Sequence, residues 1–333
     1  MPQSPNKTLR KNRRLTVVVL LFWLVVAAVL LLNRQNLLDW WALRGYNAPT
    51  TVASLATQDT MTDLARKVFY VNHPQLDEKT MFAQACPNNG GERTIILGCY
   101  HSDQDGIFLL NINEPLLNGV EQVTAAHEML HAAYDRLSSS DRTRVDAMLL
   151  DYYNHDLHDQ RLLDTIAAYK KSEPNDVVNE MHSVFGTEVA NLPAGLEAYY
   201  KRYFTNRQQV AAYAAQYQGE FTSREAQVKQ DDAQLASLKS QIENTQADLK
   251  AQLTLITSDQ QQLQSERASG DIPAYNAGVP GYNRMVDAYN AEVSSLQTLV
   301  NQYNQLVVAR NAVALQEQQL SNELSAGATP IQH

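Results

Sequence analysis

The residues Ala125-Ala126-His127-Glu128-Met129-Leu130-His131-Ala132-Ala133-Tyr134-Asp135 set the reading of the whole chain. Two histidines four positions apart lie on one face of an α-helix, a single turn apart, so both imidazoles can reach one metal ion. Glu128 directly follows the first histidine. That places its carboxylate beside such an ion rather than on it, where it can take a proton from a bound water. The flanks support a helix. Gly119-Val120 follows a turn-like Asn118, no proline intervenes before Pro174, and Val123, Leu130 and Tyr134 form an apolar stripe alongside the histidines. The alanines around the pair favour tight packing over two solvated histidines on a surface helix.

Two histidines do not complete a metal site. Catalytic zinc usually takes three protein ligands and keeps a position open for water. Asn179-Glu180-Met181-His182-Ser183, downstream of His131 and after Pro174, offers a glutamate. Glu188 is a rival ligand, and His155, His158 and His182 are outside candidates. With these residues the stretch from about 94 to 205 resembles the gluzincin branch of zinc metallopeptidases. The resemblance is specific at His127, Glu128, His131 and Glu180, and Asp135 matches the thermolysin-like continuation. It implies a Zn2+ ion held by His127, His131 and Glu180, with Glu128 as general base in the hydrolysis of a peptide or protein substrate. A further donor to the tetrahedral oxyanion is then needed, with Tyr199, Tyr200 and His182 as candidates. One departure is clear: the Glu-x-x-x-Asp pattern of many gluzincins would put aspartate where Val184 stands. The histidines must therefore be oriented from elsewhere, with Asp135 and Asp151 as candidates.

The chain of 333 residues carries a net charge of −9, which argues against a nucleic-acid partner. Its basic exception is the N-terminus, where Lys7, Arg10, Lys11, Arg13 and Arg14 precede an apolar run from Leu15 to Leu32 with only Thr16 polar. Such a run is long enough for a bilayer core of roughly 30 Å, and Trp40 and Trp41 suit the far interface. No small-x-small cleavage site follows the run, so it reads as an uncleaved signal anchor in the cell membrane. Its basic flank would stay in the cytoplasm and everything after residue 32 outside it. In that oxidising compartment Cys86 and Cys99, the two cysteines of the chain, are expected to form a disulfide.

Residues 60–63, Thr-Met-Thr-Asp, suggest a capping box opening a helix that Pro74 closes. The β-prone runs 93–100 and 107–112, separated by Ser102-Asp103-Gln104-Asp105-Gly106, suggest a hairpin. In the resemblance, the run at 107–112 corresponds to the edge strand that pairs with extended substrate. Helices are expected near 140–154, 160–171, 174–189 and from 193. From Phe221 onward Val228, Leu235, Ile242, Leu249, Ile256 and Leu263 recur every seven residues. After a Gly/Pro break at 269–281 come Val286, Val293, Val300 and Val307, interleaved with Tyr282, Tyr289, Leu296 and Tyr303. These heptads predict two antiparallel arms, turning near residue 274 and setting Leu263 against Val286 and Leu249 against Val300. The tyrosines read as part of the seam rather than as an aromatic binding stripe.

The expected fold is α+β and mostly α. A small zincin-like domain with a β-hairpin is followed by a long helical coiled-coil hairpin able to bind a protein partner. The expected segments are a basic tail (1–14), the anchor (15–32), a connector (33–58), the zincin-like domain (59–212), the helical hairpin (213–326) and a short tail (327–333).

Overall fold

A computed structural model describes residues 7–87, 97–102, 106–172 and 174–325, without the side chains of 7–15. The basic tail's side chains, the first half of the run at 93–100, most of Pro87–Gly91, the turn at 103–105 and the tail 327–333 lie outside the described residues. Four helices come first: α1 Lys7–Leu32, α2 Arg34–Leu43, α3 Thr50–Gln58 and α4 Asp63–Val71. A short strand β1 (Gln75–Asp77), helix α5 (Lys79–Ala85), and strands β2 (Gly98–His101) and β3 (Gly106–Leu110) follow. A 3-10 turn at Pro115–Leu117 leads into α6 (Val120–Asp135), α7 (Ser139–His155), α8 (Gln160–Ser172), α9 (Val177–Glu188) and α10 (Ala194–Tyr200). The chain ends in α11 (Arg207–Ser269) and α12 (Ile272–Leu324). It forms two compact units, the second of which is Tyr217–Glu323.

In the first unit α6 is the central element. Thirteen of its sixteen residues are buried, so it is surrounded rather than merely amphipathic. It is packed by α3, α4, α9 and the sheet. Gly186 sits where α9 meets it: an added Cβ would stand 2.5 Å from Leu130 Cδ1 and 2.8 Å from Tyr200 Cε1. The glycine therefore admits close packing without ending α9, which continues to Glu188. Leu130, Met129, Phe185, Tyr200, Phe69 and Phe204 fill the core around this contact.

The sheet has three strands in the order β1-β3-β2, with β1 parallel and β2 antiparallel to β3. The expected hairpin is thus β2–β3, and the sequence reading missed β1. One expectation is corrected here. The 107–112 region forms the central strand, paired on both sides, so it cannot offer a free edge; β2 is an outer strand. The Cys86–Cys99 disulfide joins the end of α5 to β2.

Three boundaries move for physical reasons. The cap of α4 is Thr62, whose side chain accepts from the Ala65 amide, while Thr60 adopts φ +53° and its hydroxyl donates to the Asn206 carbonyl. Helix α9 starts at Val177 behind Asp176, so Pro174 lies before it rather than in its first turn. Residues 33–58 hold two helices instead of a connector. Val52, Leu55 and Ala56 of α3 are buried in the core, and Asp39 of α2 is buried between Lys67 at 2.8 Å and Arg136 at 2.9 Å.

Among the described residues no single helix is long and apolar enough to cross a membrane. Thr16–Leu32 and Arg34–Leu43 reach the length and apolarity only together, bent by 61°. The ion pairs of Asp39 fasten the second of these to the folded unit. In α1 the apolar side chains from Val17 to Leu32 are largely exposed.

The second unit is the helical hairpin, and its turn differs from the expected one. Only Gly270 and Asp271 separate the arms, with Gly270 at φ +83°, a left-handed conformation suited to glycine. Pro273 falls in the first turn of α12, where its missing N–H costs nothing, and Pro280 lies inside the helix. Leu263 faces Gly278 rather than Val286, Gln252 donates to Glu292, and Arg310 pairs with Asp232 at 2.9 Å. The arms are therefore offset by about one heptad from the expected register. Tyr282, Tyr289, Leu296 and Tyr303 are half-buried, as seam residues should be, whereas Val293 is exposed.

Candidate metal centre

The helical repeat of α6 brings His127 and His131 to one face, their Nε2 atoms 3.0 Å apart. Glu180 arrives from the first turn of α9, with Oε2 3.6 Å from His127 Nε2 and Oε1 3.4 Å from His131 Nε2. A tetrahedral ion with bonds of about 2.0–2.1 Å sets its ligand atoms about 3.3 Å apart. The three observed separations bracket that value. All three groups are largely withdrawn from water, and Glu180 Oε2 is a buried oxygen without a hydrogen-bond partner. Two imidazoles and a carboxylate, one of whose buried oxygens lacks a hydrogen-bond partner, fit Zn2+ in chemistry and spacing.

Glu128 lies on the same helix and is 6% exposed. Burial raises its carboxyl to about 7, partly offset by His131 and reinforced by Glu180. Burial would likewise raise Glu180, but His131 and His127 outweigh it and, with the Tyr169 hydroxyl, hold that carboxyl below its ordinary value. The two carboxylates are thus shifted in opposite directions, Glu128 by burial and Glu180 by the histidines beside it.

The other sequence candidates fall elsewhere. Glu188 is engaged by Arg161 at 2.7 Å, and His155 pairs with Asp151 at the surface. His158 is exposed. His182 is fully buried, its Nε2 2.8 Å from the Tyr199 hydroxyl, while the Tyr200 hydroxyl donates to the His182 carbonyl at 2.7 Å. Tyr134, Tyr199, Tyr200 and Tyr203 ring it. Burial and the nearby histidines push its pKa well down. His182, Tyr199 and Tyr200 therefore form a buried cluster tied by these two hydrogen bonds, in which His182 Nδ1 is left without a hydrogen-bond partner.

Three residues that sequence reasoning missed lie closer. Tyr169 of α8 reaches the Glu180 carboxylate. Asp176, at the head of α9, interacts electrostatically with His131; Asp135 is drawn to Arg142 at 3.7 Å and Asp151 to His155. Gly98 of β2 packs on Glu128. None carries a local signal: each is joined to the motif only through tertiary packing.

Comparison of the chain with protein-family models, with curated proteins and with solved structures gives no match.

Proposed function

We propose that the chain is a zinc metallopeptidase, anchored in the cell membrane by α1 with its folded part outside the cytoplasm. The observation that supports this most directly is the convergence of His127, His131 and Glu180, from two helices, on one point beside the buried Glu128. Zinc at that point would activate a water and polarise a scissile carbonyl. The chain's own residues supply the rest. Glu128, buried beside that point, would accept a proton and return it to the leaving amine. Glu180 stays ionised between the histidines. The Tyr169 hydroxyl reaches the Glu180 carboxylate, and Asp176 stands close enough to His131 to interact with it electrostatically.

The anchoring rests on the exposed apolar surface of α1 and the basic residues before it; α2 belongs with the folded part, through Asp39. The disulfide suits an oxidising compartment.

A second reading is favoured by the hairpin. The long helices α11 and α12, of 63 and 53 residues, suit a scaffold that binds a protein partner, with the first unit as a support without turnover. Metal content and peptide cleavage by the full chain in detergent separate the two readings. Stoichiometric zinc with chelator-sensitive cleavage supports the peptidase, and a folded metal-free protein without cleavage supports the scaffold.

A further inference from the structure

We propose that Gly98 and the Cys86–Cys99 bridge are positioning residues of the metal centre, holding the backbone of β2 over the Glu128 carboxylate. This rests on the hydrolytic reading above. A Cβ on Gly98 would stand 2.8 Å from both Cγ and Oε1 of Glu128 and 2.6 Å from Thr124 Cγ2. Gly98 is outside the left-handed region, so it is there for room rather than for an unusual backbone. The strand backbone lies directly on the side chain that would accept the proton, and it helps keep that side chain from water.

Two fastenings keep it there. Cys99, the next residue, is bonded to Cys86 at the end of α5. His101, two residues further, has Nε2 2.9 Å from the carbonyl of Ala85, the neighbour of Cys86. Around this clasp lies a small apolar cluster of Phe82, Cys86 and Leu110, apart from the main core. On the sheet side β2 pairs with β3 from Gly98–Leu109 to His101–Gly106. A four-residue outer strand with one paired edge has little hold of its own. Tyr100 packs on the main core, and the covalent tie to α5 adds a second hold that keeps the first residue of β2 on α6. A carboxylate confined in this way has its acceptor oxygen fixed in place, and one released by the strand gains rotamers and hydration.

The test uses the full chain in detergent, oxidised and then reduced with a water-soluble phosphine. The phosphine takes an oxygen from water, becomes the phosphine oxide, and leaves Cys86 and Cys99 as two thiols. Carbodiimide labelling of Glu128, read by fragment mass spectrometry, reports whether β2 covers it. Zinc content and cleavage kinetics report the site. Reduction should speed labelling of Glu128 and lower kcat, each about tenfold, with KM and zinc content nearly unchanged, and reoxidation should restore both. Gly98→Ala, which keeps the bridge, should lower kcat with zinc retained. It carries the test alongside reversible reduction if Cys86→Ser/Cys99→Ser fails to fold. Equal labelling of Glu128 in both redox states, or unchanged kcat on reduction, overturns the proposal. If labelling responds as expected but the oxidised protein cleaves no peptide, the cover over Glu128 stands and the hydrolytic reading falls.

Discussion

Helix α6 and the hairpin arm α11 both announce themselves by periodic residues, yet they differ in what surrounds them. In α6, thirteen of sixteen positions are buried and neighbours press from several sides. Moving any residue by one place would put a charge into the core or a glycine contact out of register. Most of α11 within the hairpin faces water, and its seam mixes Leu249 and Ile256 with Asp231 and Gln252. A seam that repeats every seven residues fits nearly as well one heptad along. Dense packing specifies a position absolutely, while a repeat specifies it only modulo its period.

The largest expected contrast is chemical. Glu128→Gln should leave zinc bound and the fold intact but lower turnover by about three orders of magnitude, because only the proton acceptor is lost. Turnover near wild type would break the assignment of the base. The same contrast appears in stability. Leu130→Ala, in α6 at full burial against Gly186, should cost about 3 kcal/mol, whereas Leu253→Ala, half-exposed on α11, should cost less than about 0.5 kcal/mol. Urea unfolding of both variants measures it, and equal losses would remove the distinction between the two helices.

Burial also gives α6 a pH signature. Glu128 has a folded value of about 7 against an ordinary 4.5, so the folded state holds the proton more tightly than the unfolded one. Stability of the metal-free protein should therefore fall as pH rises from about 4.5 to about 7, by up to about 3 kcal/mol. Glu128→Gln should flatten that slope in denaturation curves taken across the window. An unchanged slope would assign it to other groups. The smallest effect concerns the hairpin register. In a background lacking Cys86 and Cys99, cysteines at 252 and 292 should cross-link within one chain, as the Gln252–Glu292 contact requires. Cysteines at 249 and 300 should not, and the reverse result would restore the turn near 274.

What was legible in the sequence follows the same division. His127 and His131 share a face by helical period, Glu180 follows from the gluzincin resemblance, and the structure brings the three together; the disulfide was legible because the chain has two cysteines. The β2–β3 hairpin was legible from its turn residues, but β1 is only three residues long and pairs in parallel with β3, leaving no periodic trace. The turn of the hairpin was misplaced because Pro273, Gly278, Pro280 and Gly281 look like breakers. In the structure the first sits where a helix tolerates proline, and Gly278 admits Leu263. Tyr169, Asp176 and Gly98 were invisible for a different reason: their place beside the site is set by α8, α9 and β2 packing on α6, not by their own neighbours in sequence.

Three side chains from two helices are proposed to form one zinc site. The most direct test is metal analysis of the purified full chain beside Glu180→Ala and Glu188→Ala. One zinc per chain in the wild type and in Glu188→Ala, with loss in Glu180→Ala, is the expected result, since Glu188 is already held by Arg161. A folded wild type without bound zinc after incubation with the metal, or loss in Glu188→Ala instead, would contradict the account.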